Sequence, residues 1–526
     1  MDFDAIVIGS GFGGAITACR LAEAGCKTLI LERGRRWETN NYPRRPADAW
    51  VWDQDCPEKC NGWLDFRAFQ NIAIAAGAGV GGGSLIYANV SCEAPAHVFD
   101  SGWPPEITYA ALKPYYDRVA KFMCVQKVPL AQWNPRMNLM REAATALGHS
   151  DRFKQLELAV SFDPEMKLDI DRPPTVAESR TFINQHGIEQ GYCVHLGECD
   201  IGCSVGAKNT LDKNYIPVAE RHGAEVRPLH VVNNIEPIAG GYRVHSSRVD
   251  AGRRVATNQT ARRVIVAAGS LGSTELLLRC KMETKSLPRI SAFLGRNWCS
   301  NGDFLTPAVH LGRTVHPSIG PTISTAIDFQ DGSQGSERFW IEDGGMPHLL
   351  YSGMQGCDNK LVHGEFAQII LGHLQNALRS SHPLQHVMPW FAQAADVTDG
   401  VFTLRRRWWL IGPRRLHLSW RILKSKKAFD TVVEMHCRLA EVTGGVPVVP
   451  AYYKFCQSVV TPHPLGGCNM GTSRADGVVN HAGQVFGYEN LYVADAAIIP
   501  EALGVNPSRT IGALAERIAE IMIAKS

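Results

Sequence analysis

A strand, a glycine-rich turn and a helix near the start of the chain, a second strand ending in an acid, and buried strands that return late in the sequence predict an α/β protein. Its parallel nucleotide-binding sheet is interrupted by a second domain. The first observation is Ile6-Val7-Ile8-Gly9-Ser10-Gly11-Phe12-Gly13-Gly14, followed by the apolar run that ends at Leu29-Ile30-Leu31-Glu32. Gly9 permits a tight turn, Gly11 lets the backbone approach a pyrophosphate, and Gly14 allows a helix from about Ala15 to Ala24 to pack on the sheet. The free N–H groups at that helix start attract a diphosphate. Glu32 can accept a hydrogen bond from a ribose 2′-hydroxyl. The order predicts an adenine dinucleotide site, with an ordinary tight turn as the competing reading. FAD and NAD both remain open at this point.

The second observation is the block Gly77-Ala78-Gly79-Val80-Gly81-Gly82-Gly83-Ser84 after the apolar stretch Ile72 to Ala76. Glycines there let a chain run close along a flat ligand, and the alternative is a flexible linker. From Ala224 the pattern alternates: Glu225-Val226-Arg227 leads toward Val231-Val232, then Gly241 to His245 and a turn at Asp250 to Arg253. This predicts antiparallel strands carried as an excursion from the nucleotide domain. Arg262 to Gly269 reads as a buried strand returning to the parallel sheet, and a helix begins at Ser270. Residues 130–190 and 290–460 are irregular and aromatic, and predict a second domain over the reactive end of the ligand. No internal repeat is apparent.

With 526 residues, 45% hydrophobic and 20% charged, the chain can bury a large core in two or more domains. Lysine and arginine number 54 against 51 acids, a balance that gives no reason to expect a nucleic-acid partner. Met1-Asp2-Phe3-Asp4 leads straight into a core strand, so we expect no cleavable signal, and no apolar run reaches the length of a membrane span. Fifteen scattered cysteines suit a reduced, cytoplasmic protein. Cys193, His195, Cys199 and Cys203 could hold zinc, yet they lack knuckle or ferredoxin spacing, so local packing without a metal is the expectation. Arg405-Arg406-Arg407-Trp408-Trp409, Arg414-Arg415, Trp420-Arg421 and Lys424 to Lys427 suit either a solvated amphipathic helix flanking a lid or peripheral contact with a membrane surface.

The densest signals come last. Thr461-Pro462-His463-Pro464-Leu465-Gly466-Gly467 holds a histidine between two prolines, an arrangement suited to a preorganised base. Leu491 to Ala494 reads as one more buried strand delivering Asp495. Leu503-Gly504-Val505-Asn506-Pro507 precedes a terminal helix from Thr510 to Ala524, with Ile511, Leu514, Ile518 and Ile521 on its apolar stripe. In this order, from the N-terminal glycines through Val80 to Ser84, Ala267-Ala268-Gly269-Ser270 with Ser273-Thr274-Glu275, and the His463 and Asn506 segments, the chain resembles the glucose-methanol-choline (GMC) flavin oxidoreductases. The likeness spans residues 6 to 520 and is closest to the cholesterol-oxidase-like branch.

That resemblance implies a Rossmann-like FAD-binding domain in three parts, 1–125, 191–300 and 461–526. An inserted α+β substrate domain on an antiparallel sheet would be built from 126–190 and 301–460. It implies FAD as cofactor, held by Gly9, Gly11, Gly14, Glu32, Gly79, Gly82, Gly83, Ser84, Val232, Ala268, Gly269, Asp495, Asn506 and Pro507. The expected reaction is oxidation of an alcohol, with dioxygen, a quinone or another acceptor taking the electrons. A bulky sterol- or terpenoid-like alcohol is the leading substrate, a sugar or other polar alcohol the alternative, and a non-catalytic flavin-bound membrane protein the third reading. A neutral imidazole suits proton transfer near pH 7, so His463 is the candidate base or hydroxyl orienter, against a structural histidine. Asn506 matches the family asparagine and can stabilise developing charge, against a plain helix cap. Glu342, in Phe339-Trp340-Ile341-Glu342-Asp343, is the match for that branch's glutamate over the flavin, against a surface acid. Tyr87 stands where relatives carry a small polar residue, a departure that would reshape the pocket.

Overall fold

Phe3–Ile8 and Thr28–Leu31 are aliphatic strands buried on both faces, as parallel strands between helical layers must be. In the computed structural model, which describes residues 1–525 apart from 46, 173–174, 350–374, 376–377, 379 and 407–413, they lie side by side and parallel, Ile6 opposite Leu29. Around them forms a seven-stranded sheet. Arg253–Val266 runs parallel to Phe3–Ile8 on the other side, and Leu491–Val493 pairs parallel with its last residues. Helix Phe12–Glu23 covers one face and packs on the terminal helix Ser508–Ala524 and on Tyr215–Arg221. Two of its glycines are steric necessities. A Cβ on Gly13 would stand 1.5 Å from the Ala494 carbonyl oxygen, and one on Gly14 2.0 Å from that of Gly9.

The excursion from this sheet differs from expectation in one strand. His230–Ile238 and Gly241–Asp250 form an antiparallel meander with the first part of Arg253–Val266, which is one continuous strand. Glu225–Arg227 does not belong to it. That segment pairs parallel with Thr28–Leu31 at the opposite edge, because the short loop after it crosses over the ends of the strands. Leu229 and His230 donate backbone bonds of 2.9 and 2.8 Å to the Gly34 and Glu32 carbonyls.

A second, six-stranded sheet is wholly antiparallel. It runs in the order Gly445–Pro447, Phe304–His310, Val387–Ala394, Glu337–Asp343, Thr325–Gln334, Phe153–Gln155. Helices Lys426–Val442 and Pro135–Ala146 cover it, the first burying Phe429, Val432, Met435, Leu439 and Ala440. Arg136, fully buried, ties helix to sheet through Asp343 Oδ2 at 3.1 Å and the carbonyls of Pro321 and Gly344 at 2.6 and 2.8 Å. A third sheet positions the site. Val459–Thr461 lies parallel to Ile72–Gly77, Thr461 opposite Ile74, so the histidine segment starts beside the strand that feeds the second glycine block.

The basic tryptophan stretch is corrected in part. Its first part forms the hairpin Val401–Arg405 with Arg415–Ser419 rather than a helix, whereas Lys426 and Lys427 open helix Lys426–Val442. Trp420 is a core residue, edge-on to Trp298 at 5.8 Å; residues 407–413 lie outside the described residues. No helix among the described residues is long and apolar enough to cross a membrane.

Candidate active site

One continuous cavity of about 1020 Å³ runs between the two large sheets, at the upper end of the range for small-molecule sites. One end is lined by Glu32, Arg33 and Val232, the middle by Gly9 to Gly13, Gly82, Gly83, Ala268, Gly269 and Asp495, and the other end by Asp303, Leu305, Phe391, His463, Asn506 and Pro507. In the middle the two glycine segments face each other closely. A Cβ on Gly82, at φ +52°, would stand 2.6 Å from the Gly11 Cα, whereas one on Gly11 would meet nothing nearer than 3.9 Å. Helix Phe12–Glu23 begins there with no acid in its first turn and no side chain capping it. Its unpaired N–H groups and positive dipole end are what a diphosphate seeks.

Glu32 accepts from the Ser10 backbone N–H at 3.0 Å and from Ser10 Oγ at 2.6 Å with one oxygen, and from the Gly34 N–H at 2.9 Å with the other. Asp495 holds the returning helix Gly269–Met282 by accepting from the Gly269 N–H at 2.8 Å and Ser273 Oγ at 2.5 Å. Burial pushes its carboxyl up to about 6. Three of the residues expected to bind the cofactor lie behind the cavity wall instead. Gly14 seats the helix, Gly79 passes so close to Trp37 that a Cβ would stand 2.5 Å from the indole, and Ser84 Oγ donates to the Gly81 carbonyl at 2.8 Å. Tyr87 does line the cavity, its hydroxyl donating to the Asn209 carbonyl at 3.1 Å.

At the far end His463 and Asn506 face the same space. His463 Nδ1 lies 2.8 Å from Asp303 Oδ1, and its backbone N–H donates to Thr461 Oγ1 at 2.9 Å. A carboxylate on Nδ1 selects the tautomer with the proton on that nitrogen and leaves Nε2 as an acceptor. Among the described residues no protein group bonds Nε2. Asp303 is wholly buried; burial raises its carboxyl, and the His463 ring and the Thr461 hydroxyl, 2.5 Å away, pull it back. Asn506 is 4% exposed, and its Oδ1 has no partner among the described residues. A buried, unpaired amide oxygen in a cavity wall is poised for a ligand. It does not cap the terminal helix, whose N-cap position is Pro507.

Glu342 is not a surface acid. It is wholly buried just beneath the cavity wall, on the sheet face that Leu305 and Phe391 present to the cavity, with Oε2 accepting from Gln393 Nε2 at 3.0 Å. Desolvation lifts its carboxyl well above 4.5, opposed by Gln393 and by the nearby Asn506 amide. Its strand runs antiparallel to Val387–Ala394 with Glu342 directly opposite the cavity-lining Phe391, so the two side chains share one face of the sheet. The cysteine cluster is packing of a different kind: His195 Nε2 is bonded to Gln132 Oε1 at 3.0 Å, and burial drops the ring to about 4. Among the described residues no three His, Cys, Asp or Glu side chains are grouped to hold a metal ion.

The sequence reading missed the segment that organises this end. Ser300 accepts Thr461 Oγ1 on its carbonyl at 2.8 Å. Asn301 Oδ1 accepts the Leu503 and Gly504 N–H groups at 3.0 and 2.9 Å, while its amide donates to the Val505 carbonyl at 2.8 Å. Asp303 holds His463. Three of four consecutive residues thus fix both the histidine and the asparagine segments; the only sequence signal is the polar run Ser300-Asn301-Gly302-Asp303 before an apolar strand.

Such a cavity fits an FAD-sized dinucleotide, with a ribose acceptor at one end, a glycine and helix cradle at its middle and unpaired polar atoms at the other. The chain matches the family model described as GMC oxidoreductase in an N-terminal part over residues 3–156 and a C-terminal part over 421–515. It is 31% identical over 553 residues to a cholesterol oxidase of Acinetobacter baumannii, covering 100% of this chain and 95% of that one. A cholesterol oxidase of Mycobacterium tuberculosis is 30% identical over 548 residues, covering 99% of this chain and 91% of its own. The crystal structure of pyridoxine 4-oxidase from Mesorbium loti shares the fold, with a TM-score of 0.65 at 15% identity over 98% of each chain. Matched along its whole length in both sequence and fold, the chain belongs to the GMC oxidoreductase family.

Proposed function

We propose that this protein oxidises a bulky, hydrophobic alcohol of the sterol or terpenoid kind to its carbonyl compound, with FAD as the first electron acceptor. The observation that carries the reading is the His463–Asp303 pair, 2.8 Å apart, at the end of a dinucleotide-sized cavity. Alcohol oxidation requires the hydroxyl proton to leave as the carbinol hydride departs. Bound FAD supplies the site that accepts the hydride. His463 Nε2 takes the hydroxyl proton, Asp303 holds the ring and stabilises the imidazolium that results, and the Asn506 side chain orients the alcohol oxygen. Pro462 and Pro464 restrict the backbone on either side of the base.

The substrate class is supported by what lines this end. Leu305, Ile323, Phe391, Tyr452 and Val460 are apolar or aromatic. The charged lining residues elsewhere are spent on each other, Arg33 on Asp65 at 2.7 Å and Arg67 on Glu275 at 2.6 Å, which leaves little to recognise a sugar. Two cholesterol oxidases among the relatives point the same way. An anaerobic screen of alcohols, followed by flavin absorbance, tests this directly. Sterols and terpenols should bleach the flavin while sugars leave it oxidised, and the reverse pattern overturns the substrate class. Admitting dioxygen or a quinone to the bleached protein then identifies the second acceptor by the faster return of colour.

A further inference from the structure

The loop between Val51–Trp52 and Leu64–Ala68 carries two cysteines that the chemistry above does not use. Lys59 and Cys60 both donate their backbone N–H to the Cys56 carbonyl at 2.9 Å, closing a single helical turn. Such a turn holds the flanking Cα atoms roughly 6 Å apart, inside the span a disulfide bridges. The Cys60 thiol is one of the groups that shift the Cys56 thiol, and both residues are partly exposed. The loop also belongs to the cavity. Gln54, Asp55 and Arg254 line its Glu32 end, Arg254 Nε binds Glu58 at 2.7 Å and its Nη2 the Asp55 carbonyl, while Arg415 pairs with Asp55 at 2.8 Å. Trp52, just before the loop, packs in one cluster with Val231.

We propose that Cys56 and Cys60 are a reversible dithiol–disulfide pair that responds to hydroperoxide and, when oxidised, fastens this loop over the adenosine end of the cavity. The Cys60 thiolate attacks the peroxide, the O–O bond breaks, and a sulfenic acid forms as the first water leaves. Cys56 sulfur then displaces the sulfenic oxygen, giving the S–S bond and a second water. Two thiols and one hydrogen peroxide become one disulfide and two waters, the sulfurs losing the two electrons that the peroxide gains. Burial and the neighbouring thiol push Cys56 up to about 11, which suits it to the resolving step rather than the first attack. Hydrogen peroxide is also what dioxygen becomes on accepting two electrons and two protons, so turnover of an oxidase would supply the oxidant at the protein itself. The pair's chemistry stands on the turn geometry alone; its effect on the cofactor rests on the FAD reading above.

The test treats the flavin-loaded protein with a small excess of hydrogen peroxide, alkylates the remaining thiols, and maps the peptides by mass spectrometry. A Cys56–Cys60 linkage reversed by dithiothreitol, together with several-fold slower flavin release on dilution, is the expected result. Cys60→Ser should lose both effects while binding flavin as the reduced wild type does. Alkylation of both cysteines after peroxide, or pairing of either with another cysteine, overturns the proposal. A linkage that leaves the release rate unchanged overturns the clasp. If the purified protein binds no flavin, the functional reading fails, whereas the peptide map still reports on the pair.

Discussion

At the scale of single residues, the groups that face the far end of the cavity announce themselves, and the groups that hold them do not. His463 between prolines and Asn506 before a proline were legible as chemistry because their neighbours are unusual. Asp303 was not, since its role exists only through a partner 160 positions away that the third sheet brings alongside. Asp303→Asn keeps the shape but removes the charge that stabilises a protonated ring. It should lower the rate of flavin reduction by about 10- to 100-fold with little change in substrate KM, a split that mere structural damage would not give. Glu342 makes a different prediction. Burial raises its folded-state pKa above 4.5, so the folded protein keeps a proton that the unfolded chain releases. The stability this contributes is complete below that value and is lost as pH rises toward the folded pKa. Glu342→Gln removes the titration and, with Gln393 still in reach, should cost within about 1 kcal/mol at low pH. Thermal midpoints followed across about pH 5 to 8 should move in the variant's favour as pH rises; parallel curves would mean the carboxyl is already ionised.

Elements with a clean period were the most legible. Continuous aliphatic runs gave the parallel strands, and the stripe Ile511, Leu514, Ile518 the terminal helix, which the structure extends to Ser508–Ala524. Glu225–Arg227 misled because three residues carry no period, and only the crossover after them decides which edge they join. The part of the basic stretch around Arg405 and Arg415 misled because charge and tryptophan content say nothing about whether a segment pairs as a hairpin. The first glycine motif separates two jobs within one element. Gly11 has φ −69° and room for a Cβ, so Gly11→Ala should fold and yet bind FAD poorly, its methyl standing in the dinucleotide's path. Gly13→Ala would place a Cβ 1.5 Å from a backbone oxygen and should not yield folded protein. Flavin absorbance per mole of soluble protein distinguishes the two outcomes; a Gly11→Ala protein with full flavin would remove the motif's assigned role.

For the whole molecule, the sequence indicated two domains but not how the second is braced. That bracing is the buried Arg136, whose guanidinium joins helix Pro135–Ala146 to Asp343 and to the carbonyls of Pro321, Thr322 and Gly344. Arg136→Met leaves Asp343 buried without its cation and should cost about 3–5 kcal/mol, read as a lowered thermal midpoint. Bound flavin should still be present at 25 °C, because Arg136 does not itself line the cavity and reaches its wall only through the Thr322 and Gly344 carbonyls. The molecule as a whole serves to bring the chain from His463 onward to the far end of a cavity opened by Gly9 to Glu32. The measurement that tests this most directly is anaerobic reduction of the bound flavin by a sterol, followed in wild type and in His463→Ala. The account predicts that the variant keeps its flavin and bleaches about 10²- to 10⁴-fold more slowly; bleaching at the wild-type rate would contradict it.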